Sequence, residues 1–170
     1  MVNIRRFRPA DQGAVIRLFR EFMSELTPPA LVEAFQAYVE QAIADELGRI
    51  EEYYLRRDDQ AFWVADAGGV VGMVGIEHRD DQTAELRRMA VEKAQRRKGI
   101  ARELLATAEA FGRSRGYRRV VLSTSELQTA AMRLYESSGY RLVRKEKNAP
   151  SSHKSAGAGL TRYHYEKALC

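Results

Sequence analysis

Cysteine is almost missing from this chain: Cys170, at the extreme end, is the only one in 170 residues. One thiol cannot close an internal disulfide, so a disulfide-stapled secreted scaffold is excluded and a reducing compartment is compatible. Nor can it complete a zinc cluster, and His78, His153 and His164 are scattered without metal-ligand spacing, so no metal is expected. Long apolar runs are missing too. Arg5, Arg6, Arg8, Asp11 and Arg17 interrupt the first twenty residues, unlike a signal peptide, and no later stretch is apolar enough to span a bilayer. The expectation is a cytoplasmic protein with no membrane partner. A Gly-x-Ser-x-Gly elbow is absent, which argues against a serine hydrolase. Proline is scarce, and between Ala30 and Arg57 there is none.

What remains is a chain with 45% hydrophobic residues, long enough for one domain spanning 1–170 and too short for two of ordinary size. Its 28 Lys and Arg outnumber 23 Asp and Glu, and the net charge of +5 suits an anionic partner: nucleic acid, a membrane surface or a phosphorylated cofactor. Placement narrows that choice. Arg87, Arg88, Lys93, Arg96, Arg97, Lys98 and Arg102 cluster around a glycine turn, with no long basic tract interleaved with aromatics, so a phosphate-bearing small molecule is favoured and no nucleic acid is expected.

The pattern along the chain predicts a mixed α/β sheet flanked by helices. Val2 to Phe7 alternates as a strand, and Asp11 is placed to cap a helix with Val15, Leu18, Phe19, Phe22 and Met23 on its inner face. From Ala30 to Arg57, Leu31, Phe35, Val39, Ala42, Ile43, Leu47, Ile50 and Tyr54 recur at helical spacing, with Gly48 as a weak point. The acidic residues of this stretch, Glu33, Glu40, Asp45, Glu46, Glu51 and Glu52, read either as a solvated face or as an attraction for a cationic amine. Phe62–Ala65 and Val70–Ile76 flank Asp66-Ala67-Gly68-Gly69 as a hairpin, and Gly72 and Gly75 indicate close packing or a bulge. Strands follow near Glu85, at 119–124, at 140–143 and at 162–167, where Arg162 to Tyr165 are candidates for lining a pocket; the Ser-, Ala- and Gly-rich stretch 148–159 reads as a mobile loop.

Two stretches carry chemistry. Glu85 to Val91 is a strand leading into Arg96-Arg97-Lys98-Gly99-Ile100-Ala101, which opens a helix with Ile100, Leu104, Leu105, Ala108 and Phe111 on one face. A helix start gathers unpaired N–H groups that favour a phosphate, although glycine also serves such turns for geometry alone. The second stretch runs from Gln128 through Ala131 and Tyr135 to Gly139-Tyr140. On its own it is a short amphipathic helix closed by glycine.

Together these motifs resemble the GNAT superfamily of N-acetyltransferases: the first matches Q/R-x-x-G-x-G/A, and the second resembles N-x-x-A-x-x-x-Y followed by glycine and an aromatic, with Gln128 in place of the usual Asn. The resemblance is strongest from Glu85 to Val143. It implies a GNAT-like acetyl-CoA-binding fold and acetyl-CoA as cosubstrate, its pyrophosphate held by Arg96, Arg97, Lys98, Gly99, Ile100 and Ala101. It further implies backbone N–H groups of Met89 and Val91 on the acetyl carbonyl and pantetheine arm, and the Gln128 amide on that arm or on local backbone. Tyr135 is the implied proton donor to the departing thiolate, and Glu85 the implied base for the amine; the bland reading of Glu85 is a solvated salt bridge to Arg87 or Arg118. The expected function is acetyl transfer from acetyl-CoA to a primary amine, on a small-molecule or peptide acceptor, by direct attack in a ternary complex. The alternative is a non-catalytic acyl-CoA-binding or sensing module. A homodimer is left open.

Overall fold

A computed structural model describes residues 1–169, so Cys170 lies outside the described residues. Among the described residues seven strands form one sheet: β1 (Asn3–Arg6), β2 (Ala61–Asp66), β3 (Val70–Asp80), β4 (Thr83–Val91), β5 (Arg119–Ser125), β6 (Arg141–Glu146) and β7 (Arg162–Ala168), in the order β1-β2-β3-β4-β5-β7-β6. All neighbours are antiparallel except β4 and β5, which are joined by a crossover through a helix. The helices are α1 (Gln12–Leu26), α2 (Val32–Asp45), α3 (Ile50–Tyr54), α4 (Ile100–Ser114) and α5 (Thr129–Ser137).

Strand alternation sorts the core. On β2, Ala61, Trp63 and Ala65 join the cluster under α4, whereas Phe62 and Val64 join the one under α1, α2 and α3. The expected stripe of α4 is buried along its whole length, from Ile100 to Phe111. The long helical stretch breaks where Gly48 sits, passing through a single 3-10 turn, Leu47–Arg49, between α2 and α3. Gly75 meets the expectation of close packing, since a Cβ there would lie 2.9 Å from atoms of Phe62 and Tyr54. Asp11 departs from its expected role: its carboxylate accepts Arg8 N–H at 2.8 Å and binds Arg5, and makes no cap bond to α1.

Two features of β4 create the site. It pairs with β5 only at Thr83, Ala84 and Glu85, and beyond Glu85 the two strands have no ladder between them. It also carries one extra residue against β3, because Gly75 faces Arg87 while Met73 faces Ala90. Arg88, within this bulge, has φ of +61°, a left-handed conformation uncommon for a residue with a side chain. A bulge bends its strand, and this one lies just past the point where β4 leaves β5. The result is a gap in the middle of the sheet, open between the ends of two neighbouring strands.

Candidate active site

The gap is walled by α1 on one side and by the starts of α4 and α5 on the other. At its outer end, Gly99 precedes α4 with φ of +83°, and Arg97 is also left-handed, at +63°. Among the described residues no side chain caps this helix, and the first amide that folds back into the turn is Glu103 N–H, on Gly99 O at 3.1 Å. The amides before it stay free, as a helix start requires, and they face a cleft lined also by Met89, Val91 and Gln128. A Cβ built on Gly99 meets nothing within 4 Å, so the space beside this turn is open. Free amides and the positive end of the helix dipole make this a fit place for the pyrophosphate of acetyl-CoA. Gly99→Val forces a β-branched residue into a conformation disfavoured by about 1–2 kcal/mol, which distorts the turn, so the Kd for acetyl-CoA should rise about tenfold. Calorimetry finding an unchanged Kd in a folded variant contradicts this role.

The basic residues around the turn divide into two groups. Arg96 is committed to protein: Nε donates to Val91 O at 3.0 Å and both Nη atoms reach the Glu25 carboxylate, at 2.8 and 3.1 Å, pinning the turn to α1. Arg97, Lys98 and Arg102 are exposed beside the cleft; Lys98 reaches Gln95 and Arg102 reaches Ser137 on α5. Arg87 and Arg88, counted from sequence with this phosphate cluster, point instead to the other end of the gap.

Glu92 N–H donates to Val71 O on β3 at 2.7 Å, and alternation along β4 therefore turns the amide of Val91 toward the gap, with Met89 next to the bulge on the same cleft wall. Gln128 borders both the outer cleft and the inner pocket. Its carbonyl accepts from the Thr124 hydroxyl and not from local backbone, leaving its NH2 uncommitted among the described residues. Tyr135 is buried against Tyr140 and Tyr165, and its hydroxyl, at the inner pocket, has no hydrogen-bond partner among the described residues. Burial pushes its phenol pKa above the ordinary value, so it stays protonated and available as a donor.

The inner pocket is a charged one. Glu46 is completely buried and accepts from Arg87 Nη2 at 2.7 Å, from Arg88 Nε and Nη2 at 2.9 and 2.8 Å, and from the Tyr54 hydroxyl. Arg88 also donates to the Tyr38 hydroxyl at 2.6 Å and lies 5.3 Å from the Phe19 ring centre. Arg87 continues to Glu77 at 2.8 Å, which in turn accepts from Tyr53 at 2.7 Å. Burial alone would raise the Glu46 pKa, but Arg88, then Arg87 and the Tyr54 hydrogen bond outweigh it and hold the group at about 2.

Glu85 is not solvated. Its side chain is 8% exposed, with Arg79 Nη1 at 2.7 Å, Lys154 Nζ at 3.4 Å and Arg87 no closer than 3.9 Å. Lys154 also lies 3.4 Å from Glu77, so these two carboxylates already hold an ammonium group. Lys154 belongs to the Ser-, Ala- and Gly-rich loop, of which residues 154–157 line the pocket, with Ser155 and Gly157 buried and Arg88 donating to His153 O. Small residues allow this: at Gly157 a Cβ would fall 2.8 Å from Ser151 N. Sequence reasoning missed Glu77 and Lys154, and it placed Glu46 on a solvated or amine-attracting face, whereas Glu46 is buried against Arg87 and Arg88. Glu46 had a signal, since it continues the Phe35, Val39, Ala42 stripe four residues on.

Among the described residues no group of three or more His, Cys, Asp or Glu is placed to hold a metal, and no helix is long and apolar enough to cross a membrane. Known proteins resemble this chain in sequence and in shape. N-acetylaspartate synthetase of Rattus norvegicus is 42% identical over 107 residues, covering 62% of this chain and 36% of the relative. N-acetyltransferase 8 of Homo sapiens is 37% identical over 110 residues, covering 61% and 48%. The chain thus spans less than half the length of these relatives. In shape, an acetyltransferase of the GNAT family from Staphylococcus aureus Mu50 aligns with 100% of both chains at a TM-score of 0.77 and 20% identity, a likeness of fold alone. The profile described as Acetyltransferase (GNAT) family matches residues 17–140, which include most of α1, the gap between β4 and β5, the turn before α4 and Tyr135. On that match and this architecture, the chain belongs to the GNAT family of acetyltransferases.

Proposed function

We propose that this chain is an acetyl-CoA-dependent N-acetyltransferase that passes the acetyl group directly to a primary amine within a ternary complex. The observation that carries the reading is convergence: the anion-accepting turn and the Tyr135 phenol border two clefts that meet at Met89, Ala90 and Gln128. Acetyl-CoA supplies an activated acetyl thioester. The amides of Met89 and Val91 donate to it and stabilise negative charge developing on the carbonyl oxygen. Glu85 takes the proton from the amine, whose lone pair is otherwise blocked, and Tyr135 returns a proton to the sulfur. The acceptor is a small-molecule or peptide amine entering by the inner pocket, and the setting is cytoplasmic. A panel of amines assayed for thiol release and for acetylated product by mass spectrometry tests the reading. Equal amounts of free thiol and acetylated amine are expected; acetyl-CoA binding without turnover on any amine would return the non-catalytic acyl-CoA sensor.

Glu85→Gln separates base from bystander. The substitution keeps the shape and removes the base, so the rate should fall most at pH values where the acceptor amine is protonated, and should recover in part as the pH rises and solvent supplies neutral amine. Superimposable pH–rate profiles for parent and variant, at saturating acetyl-CoA, would assign Glu85 to a charged wall only.

A further inference from the structure

One cation of the inner pocket, Arg162, has no counter-ion among the described residues. Arg162 opens β7 and lines the pocket beside Ser123, Ser125 and Lys154. Its single side-chain hydrogen bond among the described residues is from Nη2 to Ser123 Oγ, at 3.0 Å. No carboxylate oxygen among the described residues forms an ion pair with it: its cross-strand neighbour Glu146 accepts instead from His164 Nε2, at 3.0 Å. A guanidinium carries five N–H donors, and most of these are unspent. The other pocket cations differ, because Arg87 and Arg88 share Glu46 and Lys154 rests on Glu77 and Glu85.

The electrostatics agree with the geometry. Burial, followed by the like charges of Arg87 and Arg88, lowers the Arg162 pKa against the opposing influence of Tyr38 and Glu146. An uncompensated cation in such a place is relieved by an incoming anion. The pairing points the same way: Arg79, Arg87, Arg88 and Lys154 each pair with Glu46, Glu77 or Glu85, and Arg162 pairs with none of the three. A simple amine carries no group to meet it. A molecule that carries a carboxylate beside its amine meets Arg162 with the one while the other reaches Glu85 on the same pocket wall.

Resting on the transferase reading above, we propose that the acceptor is an amino acid with a free carboxylate and that Arg162 is the residue that grips that carboxylate, setting specificity. Guanidinium is suited to this because its planar fork pairs with both carboxylate oxygens. The test compares matched acceptors with the parent protein at saturating acetyl-CoA: L-alanine against L-alaninamide and L-leucine against L-leucinamide, followed as thiol release and acetylated product. The amides have the more readily deprotonated amines, so preference for the acids runs against intrinsic reactivity. The acids should lead by roughly 30-fold or more in kcat/KM, mostly through KM. Arg162→Gln should raise KM for the acids and collapse the gap between acid and amide, Arg162→Lys should restore part of it, and calorimetry should find the acetyl-CoA Kd unmoved in both. Amides used as well as acids by the parent protein would overturn the carboxylate grip while leaving the transferase reading intact. No acetylation of either series or of any other amine, with acetyl-CoA bound, would remove the transferase reading and this inference with it.

Discussion

Tyr135→Phe is expected to lower kcat by roughly 10- to 1,000-fold while leaving the affinity for acetyl-CoA close to that of the parent. The ring packs edge-on to Tyr140, with centroids 5.7 Å apart, and tilted against Tyr165 at 6.4 Å, contacts that phenylalanine keeps. Only the hydroxyl is lost. No protein group among the described residues binds that hydroxyl, so its removal breaks no internal hydrogen bond, and a change in rate reports on its action toward the reacting groups. Because burial raises the phenol pKa, the parent should show no loss of activity from Tyr135 deprotonation across the neutral range. Rapid-quench measurement of the chemical step is the check. An unchanged rate for that step would leave Tyr135 as core packing.

Glu46→Gln should produce the largest loss of stability. The parent group neutralises Arg87 and Arg88, whose side chains are each 6% exposed, and removing one member of a buried charge set costs about 3–5 kcal/mol because the partners are left uncompensated. For a chain of this size that corresponds to a Tm lower by roughly 10 °C. The pH dependence supplies a second signature. The Glu46 pKa lies near 2 in the folded protein against an ordinary value of 4.5, so its contribution is complete above about pH 4.5 and disappears as the pH falls toward 2. Integrated over that window, the shift is worth about 3 kcal/mol. Other carboxylates, Glu77 and Asp59 among them, also have depressed pKa values, so the informative quantity is the gap between parent and variant. Chemical denaturation should show that gap closing between pH 4.5 and 2. A gap that is small at neutral pH, below about 1 kcal/mol, would mean that water reaches this cluster.

Local patterns made part of this structure legible. The α4 stripe, the hairpin around Gly68, the helix break at Gly48 and the glycine turn at Gly99 are each specified by residues within one or two turns of chain. The split between β4 and β5 is different. It depends on a bulge at Arg88, and an arginine at φ of +61° gives no notice of itself in a sequence, where glycine would. The inner pocket was equally hidden because its charges meet from afar: Glu46 lies 42 residues from Arg88, and Lys154 lies 69 from Glu85. The same distance effect explains Arg96, whose partner Glu25 is 71 residues away. Glu85 was legible as a charged residue on the central strand; that it stands beside an ammonium was not.

The central claim is that the gap between β4 and β5 is where coenzyme and amine meet. A crystal structure of the protein with coenzyme A bound tests it most directly. The pyrophosphate is expected against the free amides of residues 97–101, the pantetheine arm along β4 within reach of the Met89 and Val91 amides, and the sulfur beside the Tyr135 hydroxyl. Coenzyme A bound elsewhere, with this gap unoccupied, or bound here with its sulfur pointing away from Tyr135 and Glu85, would contradict the account.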